Sequence, residues 1–517
     1  MFTEIQKIVN ISNVVQQVIS AEALIFFLNT YVESFPYNSR SNANLTFISE
    51  FLNSFFIDFV TNLDHSVLST VFLEFCSKNP WIVNWSSVFP LFFTSSTIAS
   101  ENTLISHHLC SLFCRCLFKL KKISTNFASK YGSLLRPLLS LLEMKFNSNA
   151  ELKVISPLVQ SFGVLALTSQ DLFSLINGLI EPVSDRNPLT GVCLLVEMFK
   201  GVPKDLKKSL DVTILESCTA KYLNFLNFEG NNSLDFGLFK SKCISLLQVF
   251  LDVFSSLSLE SLLPAFIEKF ISLGNQAKDF VEILKLLEKC CARHVLSSQL
   301  LHLFSILFVN VQNLKILSTS LDCVEYPPKS EIDRESHLLR CEIFVFLKCF
   351  FSQVSPINGT INPTFQNHLN TLLSVSLSLL FSQDLALRKT IVIFSYFVFE
   401  HLDSSIKVQY IPSLLDIVFK SLFVPPMNPS LITQDPEVDV FAGEVFNLIL
   451  HLNCSQVVRD VFLLHFKQVL TQFCNLSDIF DPLITEFNRF HCTTESKEFH
   501  VFKRNFKQFL STLQRVS

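Results

Sequence analysis

The chain is predicted to be all-α, a stack of helical hairpins, and three observations carry that prediction. Apolar residues recur at i, i+3, i+4 and i+7, the stripe of an amphipathic helix, in one segment after another. Glycine is scarce, with 10 in 517 residues, and no sustained period-two alternation occurs, so strands and tight hairpin turns have little to build on. The 19 prolines punctuate the periodic segments instead of saturating any region.

The periodic segments run, in order, over Val14–Tyr31, Leu45–Leu63, Leu104–Leu120, Ile244–Leu257, Val281–Cys291, Leu338–Phe351 and Val440–Leu452. Short Ser/Asn/Asp/Pro connections lie between them, of the length that joins antiparallel helices. Self-similarity then separates a bundle from a repeat array. Pro137, Pro264, Pro412 and Pro482 are each followed by a helix with the same apolar beat, as in Leu263-Pro264-Ala265-Phe266-Ile267 and Ile411-Pro412-Ser413-Leu414-Leu415. Proline suits a first helical turn, where its missing N–H has no partner to lose. Helices apolar on more than one side suit the inner layer of a stack, because each unit packs on both neighbours. The expected architecture is a HEAT-like α-α superhelix, an α-solenoid, running as a single array over residues 1–517. At ~40–47 residues per two-helix unit it would hold roughly eleven units. Two proline-dense connections are expected to be longer loops: 318–335, around Pro327-Pro328, and 424–436, around Pro425-Pro426-Met427-Asn428-Pro429.

Composition narrows the function classes. Half the residues are apolar and only 17% are charged, which raises the question of a membrane span. The longest stretches free of Asp, Glu, Lys and Arg are 79–100, 294–314 and 349–383, against the ~20 apolar residues a span needs. Pro80 and Pro90 interrupt the first; His294, Gln299, His302 and Asn310 the second; Pro356, Gly359 and Pro363 the third. No membrane insertion is expected. The first ten residues carry Glu4 and Lys7 without the basic-then-apolar layout of a secretory signal. Fifteen scattered cysteines therefore point to a reducing compartment and not to a disulfide framework. Net charge is −4, so any contact with nucleic acid has to come from local basic stripes.

Chemistry-bearing patterns are sparse. His107, Cys110, Cys114 and Cys116 form the densest metal-like cluster, but Cys116 points away from the face shared by the others, and zinc wants four converging ligands. They read as a buried helix face, as do Cys290-Cys291 and the pair Cys341/Cys349. No phosphate loop, dinucleotide turn or nucleophile elbow occurs, so neither a cofactor nor a catalytic role is expected. The 55 phenylalanines read as core. Basic residues do cluster: Lys119, Lys121 and Lys122; Lys204, Lys207 and Lys208; Arg388 and Lys389; and, in the last helix, Lys503, Arg504 and Lys507 beside Lys497. Helix ends aligned along one wall of a superhelix can track a phosphate backbone, so these residues are the RNA-binding candidates. A cation at a helix C-terminus also complements the macrodipole, which is the competing reading for each.

Four stretches carry a family resemblance. They are His108–Leu120 followed by Leu134–Leu142, then Glu151–Ala166, then His337–Phe351 with Leu369–Phe381 and Asp384–Phe399, and finally Leu448–Leu510 with Phe480-Asp481-Pro482-Leu483-Ile484. In that order they resemble the C-terminal half of the exportin-T family, the tRNA exportins of the karyopherin superfamily. The resemblance consists of packing patterns, and those helices are shared among karyopherins. It implies a shuttling, monomeric receptor that carries mature tRNA from nucleus to cytoplasm with Ran-GTP, passes nuclear pore proteins and reads tRNA by shape and backbone. The family's front repeats, which grip Ran-GTP, have no counterpart in the chain, so the main Ran contact is not expected here. A HEAT-repeat karyopherin or scaffold that binds only protein cargo is the alternative.

Overall fold

The computed structural model describes residues 13–34, 45–93 apart from 64, and 103–255 apart from 125, 208–209, 211 and 228–233. It further describes 259–314 apart from 297–298, 330–353, 363–474 apart from 403, 433 and 456–457, 479–490 and 497–513. No strand occurs among the described residues. The chain divides into two compact units, residues 1–258 and 259–517. Each is a helical solenoid in its own right.

In unit 1 the helices are α1 (Val14–Glu33), α2 (Thr46–Phe51, a π-helical turn Leu52–Phe56, and Ile57–Leu63), α3 (Ser66–Lys78), α4 (Trp85–Phe92) and α5 (Thr103–Ile123). They continue with α6 (Leu135–Asn147), α7 (Leu152–Leu165), α8 (Ser169–Leu175, π-helical Ile176–Ile180, Glu181–Arg186), α9 (Pro188–Gly201), α10 (Val212–Asn227) and α11 (Leu234–Val253). The odd-numbered helices form one row, each packed on the next. They run parallel, so the late residues of neighbours meet: Lys119 with Ser77, Gln160 with Cys114, and Phe199 with Phe250.

The crossing of α7 and α9 explains two of the ten glycines. A Cβ on Gly163 would sit 2.1 Å from the Met198 carbonyl oxygen, and one on Gly201 would sit 2.3 Å from that of Gln160. Real atoms do not approach so closely, so the two backbones meet only because both positions lack a side chain.

Unit 2 comprises α12 (Leu263–Leu273), α13 (Ala277–Ala292), α14 (Leu300–Asn313), α15 (Glu331–Gln353), α16 (Pro363–Leu379) and α17 (Leu385–His401). It ends with α18 (Ser404–Ser421), α19 (Pro436–Cys454), α20 (Arg459–Leu470), α21 (Phe480–Arg489) and α22 (Lys497–Thr512). One row is α13, α15, α17 and α19; the other is α12, α14, α16, α18 and α20. Parallel register shows in successive pairs: Lys285 meets Glu342 and Cys291 meets Gln353, while His337 meets Asp384 and Phe351 meets His401. Helix α22 reverses direction against α19, since Lys507 reaches Asp439 while Lys503 reaches Asn447. Its apolar face, Phe502, Phe506 and Leu510, covers the end of the row.

Several expectations change in detail. Successive helices of the rows start 36 residues apart at the closest (Leu152 to Pro188) and 63 at the widest (Leu300 to Pro363), so no single period governs them. Pro264 lies in a first turn, and Pro137 and Pro482 lie at the third residue of their helices. Pro412 does not open a helix: it sits inside α18. The cores around Pro264 and Pro412 belong to the second row of unit 2. The helix expected at Ile244–Leu257 starts ten residues earlier, at Leu234. Of the loop expected at 318–335, residues 331–335 are helical, because Ser330 and Asp333 exchange hydrogen bonds in a capping arrangement that starts α15 early; residues 318–329 lie outside the described residues. The loop at 424–436 is present, with a 3-10 turn at Pro429–Leu431, and α19 begins at Pro436. Among the described residues, α1 is the one helix long and apolar enough to cross a membrane, a segment that inspection of charge-free stretches passed over. Its Val18, Ala21, Ile25, Leu28 and Val32 are buried, as in any packed helix.

Candidate binding surface

The parallel row of unit 1 decides where two of the basic clusters fall. Because α5, α7 and α9 run side by side in the same direction, their C-terminal ends share one edge. Lys119, Lys121 and Lys122 lie in the last turn and a half of α5. Lys204 and Lys207 lie in a short turn of helix, Lys204–Lys207, directly after α9. Clusters about eighty residues apart in sequence therefore come to one rim. Lys122 is exposed; Lys121 and Lys207 are half-buried and engaged. Exposed Lys119 donates to the Ser77 carbonyl at the end of α3, which neutralises an otherwise unpaired C-terminal acceptor. Lys208 lies outside the described residues, and only the backbone of Lys204 is described. Between the two clusters the rim is not basic: Thr168 and Asp171 close a capping box at the start of α8.

The unit 2 candidates have different surroundings. Arg388 is removed from the RNA-contact set. Its residue is fully buried, and the guanidinium donates to the main-chain carbonyls of Ser382, Ser421 (2.9 Å), Val424 (3.1 Å), Phe381 (3.4 Å) and Pro425 (2.8 Å). One side chain thus closes the C-terminal ends of α16 and α18 and anchors the first residues of the 424–436 loop. Burial lowers its pKa to about 10, against the attraction of nearby Asp384, so it stays charged at neutral pH. Lys503 and Lys507 are also corrected. Their stems lie 3.3 and 3.2 Å from where a Cβ on Gly443 would be, and their ammonium groups bond to Asn447 (3.0 Å) and Asp439 (2.7 Å). They fasten α22 to α19 and are half-buried in doing so. Lys389 lines a groove of about 550 Å³ together with Asp384, Asp435 and Glu437, an acidic setting that disfavours phosphate. Arg504 is exposed on α22.

The cysteines of the first cluster are packing residues. Cys110, Cys114 and Cys116 are buried, His107 contacts Ser111, and Cys114 bonds Gln160 on the next helix. Burial pushes the Cys110 and Cys116 thiols up to about 12, which keeps them protonated.

Sequence reasoning missed a cluster in unit 2. Asp384 caps α17, its Oδ1 accepting from the amides of Ala386 (2.8 Å) and Leu387 (3.3 Å). Its Oδ2 lies 2.6 Å from His337 Nε2, and Cys341 Sγ lies 3.6 Å from the same nitrogen and 4.0 Å from Oδ2. His337 and Cys341 are four apart on α15 and so share a face. Burial raises the Asp384 carboxyl, but the bonds from His337, Leu387 and Ala386 outweigh it and the net shift is downward. A nucleophilic Cys–His–Asp relay needs the thiol and carboxylate on different ring nitrogens. Here both meet Nε2, and burial first, then Asp384, pushes the Cys341 thiol up to about 12. That is the reverse of an activated nucleophile. The signal available in sequence was the His-x-x-x-Cys spacing; the Asp lies 43 residues beyond Cys341 and only the parallel row brings it in.

No protein-family model matches the chain, and no curated protein matches it.

Proposed function

We propose that the chain is a binding protein and not an enzyme: a transport receptor of the solenoid type that holds folded tRNA against the lysine rim of unit 1. One observation supports this reading above the others, the convergence of Lys119–Lys122 and Lys204–Lys207 on the edge formed by parallel α5, α7 and α9. Two lysine clusters on one edge, separated by the Thr168–Asp171 cap, suit RNA recognised by shape and backbone, since structured RNA offers phosphates in fixed positions. The resemblance to tRNA exportins supplies the cargo, the shuttling between nucleus and cytoplasm and the Ran-GTP dependence; these belong to the proposal. Fluorescence anisotropy with labelled tRNA checks it. Folded tRNA should bind more tightly than a hairpin of equal length. Equal affinity for tRNA and hairpin counts against it.

A second reading is favoured by a specific feature. On α1, Val15, Ile19 and Phe26 form an i, i+4, i+11 stripe that is 66%, 59% and 74% exposed. An apolar stripe of that kind suits protein cargo better than RNA. Loss of a protein partner on substituting Phe26, with tRNA binding absent throughout, would establish this second reading.

A further inference from the structure

We infer that His337, Cys341 and Asp384 form a binding site for a divalent transition-metal ion, zinc by its donor set, that links α15 to α17. The three donor atoms lie within 4.8 Å of one another and come from two consecutive helices of the same row. What distinguishes the cluster from an ordinary ion pair is that the contacts converge. Sγ and Oδ2 both approach Nε2 and lie 4.0 Å from each other, so the three donor atoms form one close triangle.

The separations can be set against metal geometry. Tetrahedral zinc at its usual bond lengths places nitrogen and oxygen ligands about 3.4 Å apart, and pairs that include sulfur about 3.6 Å apart. The sulfur–nitrogen separation is 3.6 Å and the sulfur–oxygen separation 4.0 Å. The nitrogen–oxygen separation is 2.6 Å, a direct hydrogen bond. An ion therefore replaces that bond by parting His337 from Asp384 by about 0.8 Å. Other contacts hold the ligands in place. Asp384 keeps Oδ1 on the helix cap, which fixes the carboxylate while leaving Oδ2 for the metal. Cys341 and His337 are fixed by their one-turn spacing on α15.

Charge and chemistry agree with zinc. A thiolate, a carboxylate and a neutral imidazole neutralise a divalent ion, and the mixed S/N/O set suits zinc over calcium or magnesium. Binding transfers the Cys341 proton to solvent as the Zn–S bond forms, and the Nε2 proton that His337 shares with Asp384 passes through solvent to Nδ1 as the Zn–N bond forms; no electron moves and no oxidant is involved. Nearby Arg388 competes little, because its donors are taken by five carbonyls. Three protein ligands leave a fourth position for water. Asp384 also borders the groove shared with Lys389 and Asp435, which gives the ion a route from solvent.

The test uses the full chain, treated with chelator under reducing conditions and titrated with Co²⁺. One equivalent should bind with a near-ultraviolet sulfur-to-cobalt charge-transfer band and the visible bands of a tetrahedral ion, and Zn²⁺ should displace it. Cys341→Ser should abolish the charge-transfer band, whereas Cys291→Ser and Cys349→Ser should keep it. His337→Gln gives an independent reading that does not depend on the thiol, with zinc affinity lowered at least about tenfold and circular dichroism showing unchanged helicity. Absence of the band in the parent chain, an undiminished band in Cys341→Ser, or unchanged zinc affinity in folded His337→Gln would overturn the site.

Discussion

The α7–α9 joint of unit 1 and the α15–α17 joint of unit 2 do the same job by opposite means. Both join consecutive parallel helices of a row. In unit 1 the joint is made by subtraction: Gly163 and Gly201 remove two side chains so that backbones touch, and the surroundings are Val159, Phe162, Val164 and Phe199, all buried. In unit 2 it is made by addition. Asp384 brings a charge into the joint and satisfies it with the amides of Ala386 and Leu387 and with His337, while Arg388 on the same helix is satisfied by carbonyls at the ends of α16 and α18. An apolar joint is indifferent to pH and to metal, while a polar one can respond to both. The lysines follow the same division. In unit 1 they stand at helix ends along a rim; in unit 2, Lys503 and Lys507 are spent on fastening α22.

The largest effect that breaks the comparison should come from Arg388→Met. It removes the shared donor of five carbonyls, of which those of Ser421 and Val424 keep a main-chain donor, at a cost of about 3–5 kcal/mol. Hydrogen exchange should show the loss in unit 2 while unit 1 keeps its protection, because solenoid stability is carried by neighbours. Arg388→Lys should rescue little, since one ammonium cannot span acceptors arranged for a planar fork.

Next comes Gly163→Ala. Alanine gains about 1 kcal/mol of helix propensity over glycine, but its Cβ would lie 2.1 Å from the Met198 carbonyl oxygen. Forced separation of the backbones should win, for a net loss of about 2 kcal/mol in urea denaturation, confined to unit 1. A neutral or stabilising outcome would mean that the joint is looser than its geometry.

Asp384→Asn sharpens the contrast through pH. A carboxyl whose folded pKa is lowered stabilises the fold fully above its unfolded value, near 3.9, and loses that contribution as pH falls through the lower folded value. Unit 2 of the parent chain should therefore weaken on acidification below about pH 4, and the Asn variant should weaken less steeply there. At neutral pH the variant should be less stable by about 1 kcal/mol, because Asn still caps α17 but loses the charge-assisted bond to His337.

The sequence made the helices legible because amphipathic periodicity is a local signal: α1, α5, α13 and α19 fall within a few residues of their expected spans. It could not show which helices share a row. That information is non-local, and Asp384 joining His337 depends on it, as does the placing of the α5 and α9 C-terminal ends on one edge. It also misjudged long basic side chains, since a lysine that packs its stem over Gly443 and one that stands in solvent look alike in sequence. Arg388 illustrates the limit, because its burial depends on where the connections after α16 and α18 run. Pro412 was misplaced because a proline inside a helix and one at its start share the same flanking apolar pattern.

The most direct test of the lysine rim is the salt dependence of tRNA affinity in the full chain and in the triple variant Lys119→Ala/Lys121→Ala/Lys122→Ala. If the rim holds the phosphate backbone, log K should fall linearly with log salt in the parent, and the triple variant should flatten that slope by about 2–3. The same slope in both, with undiminished affinity, would contradict it.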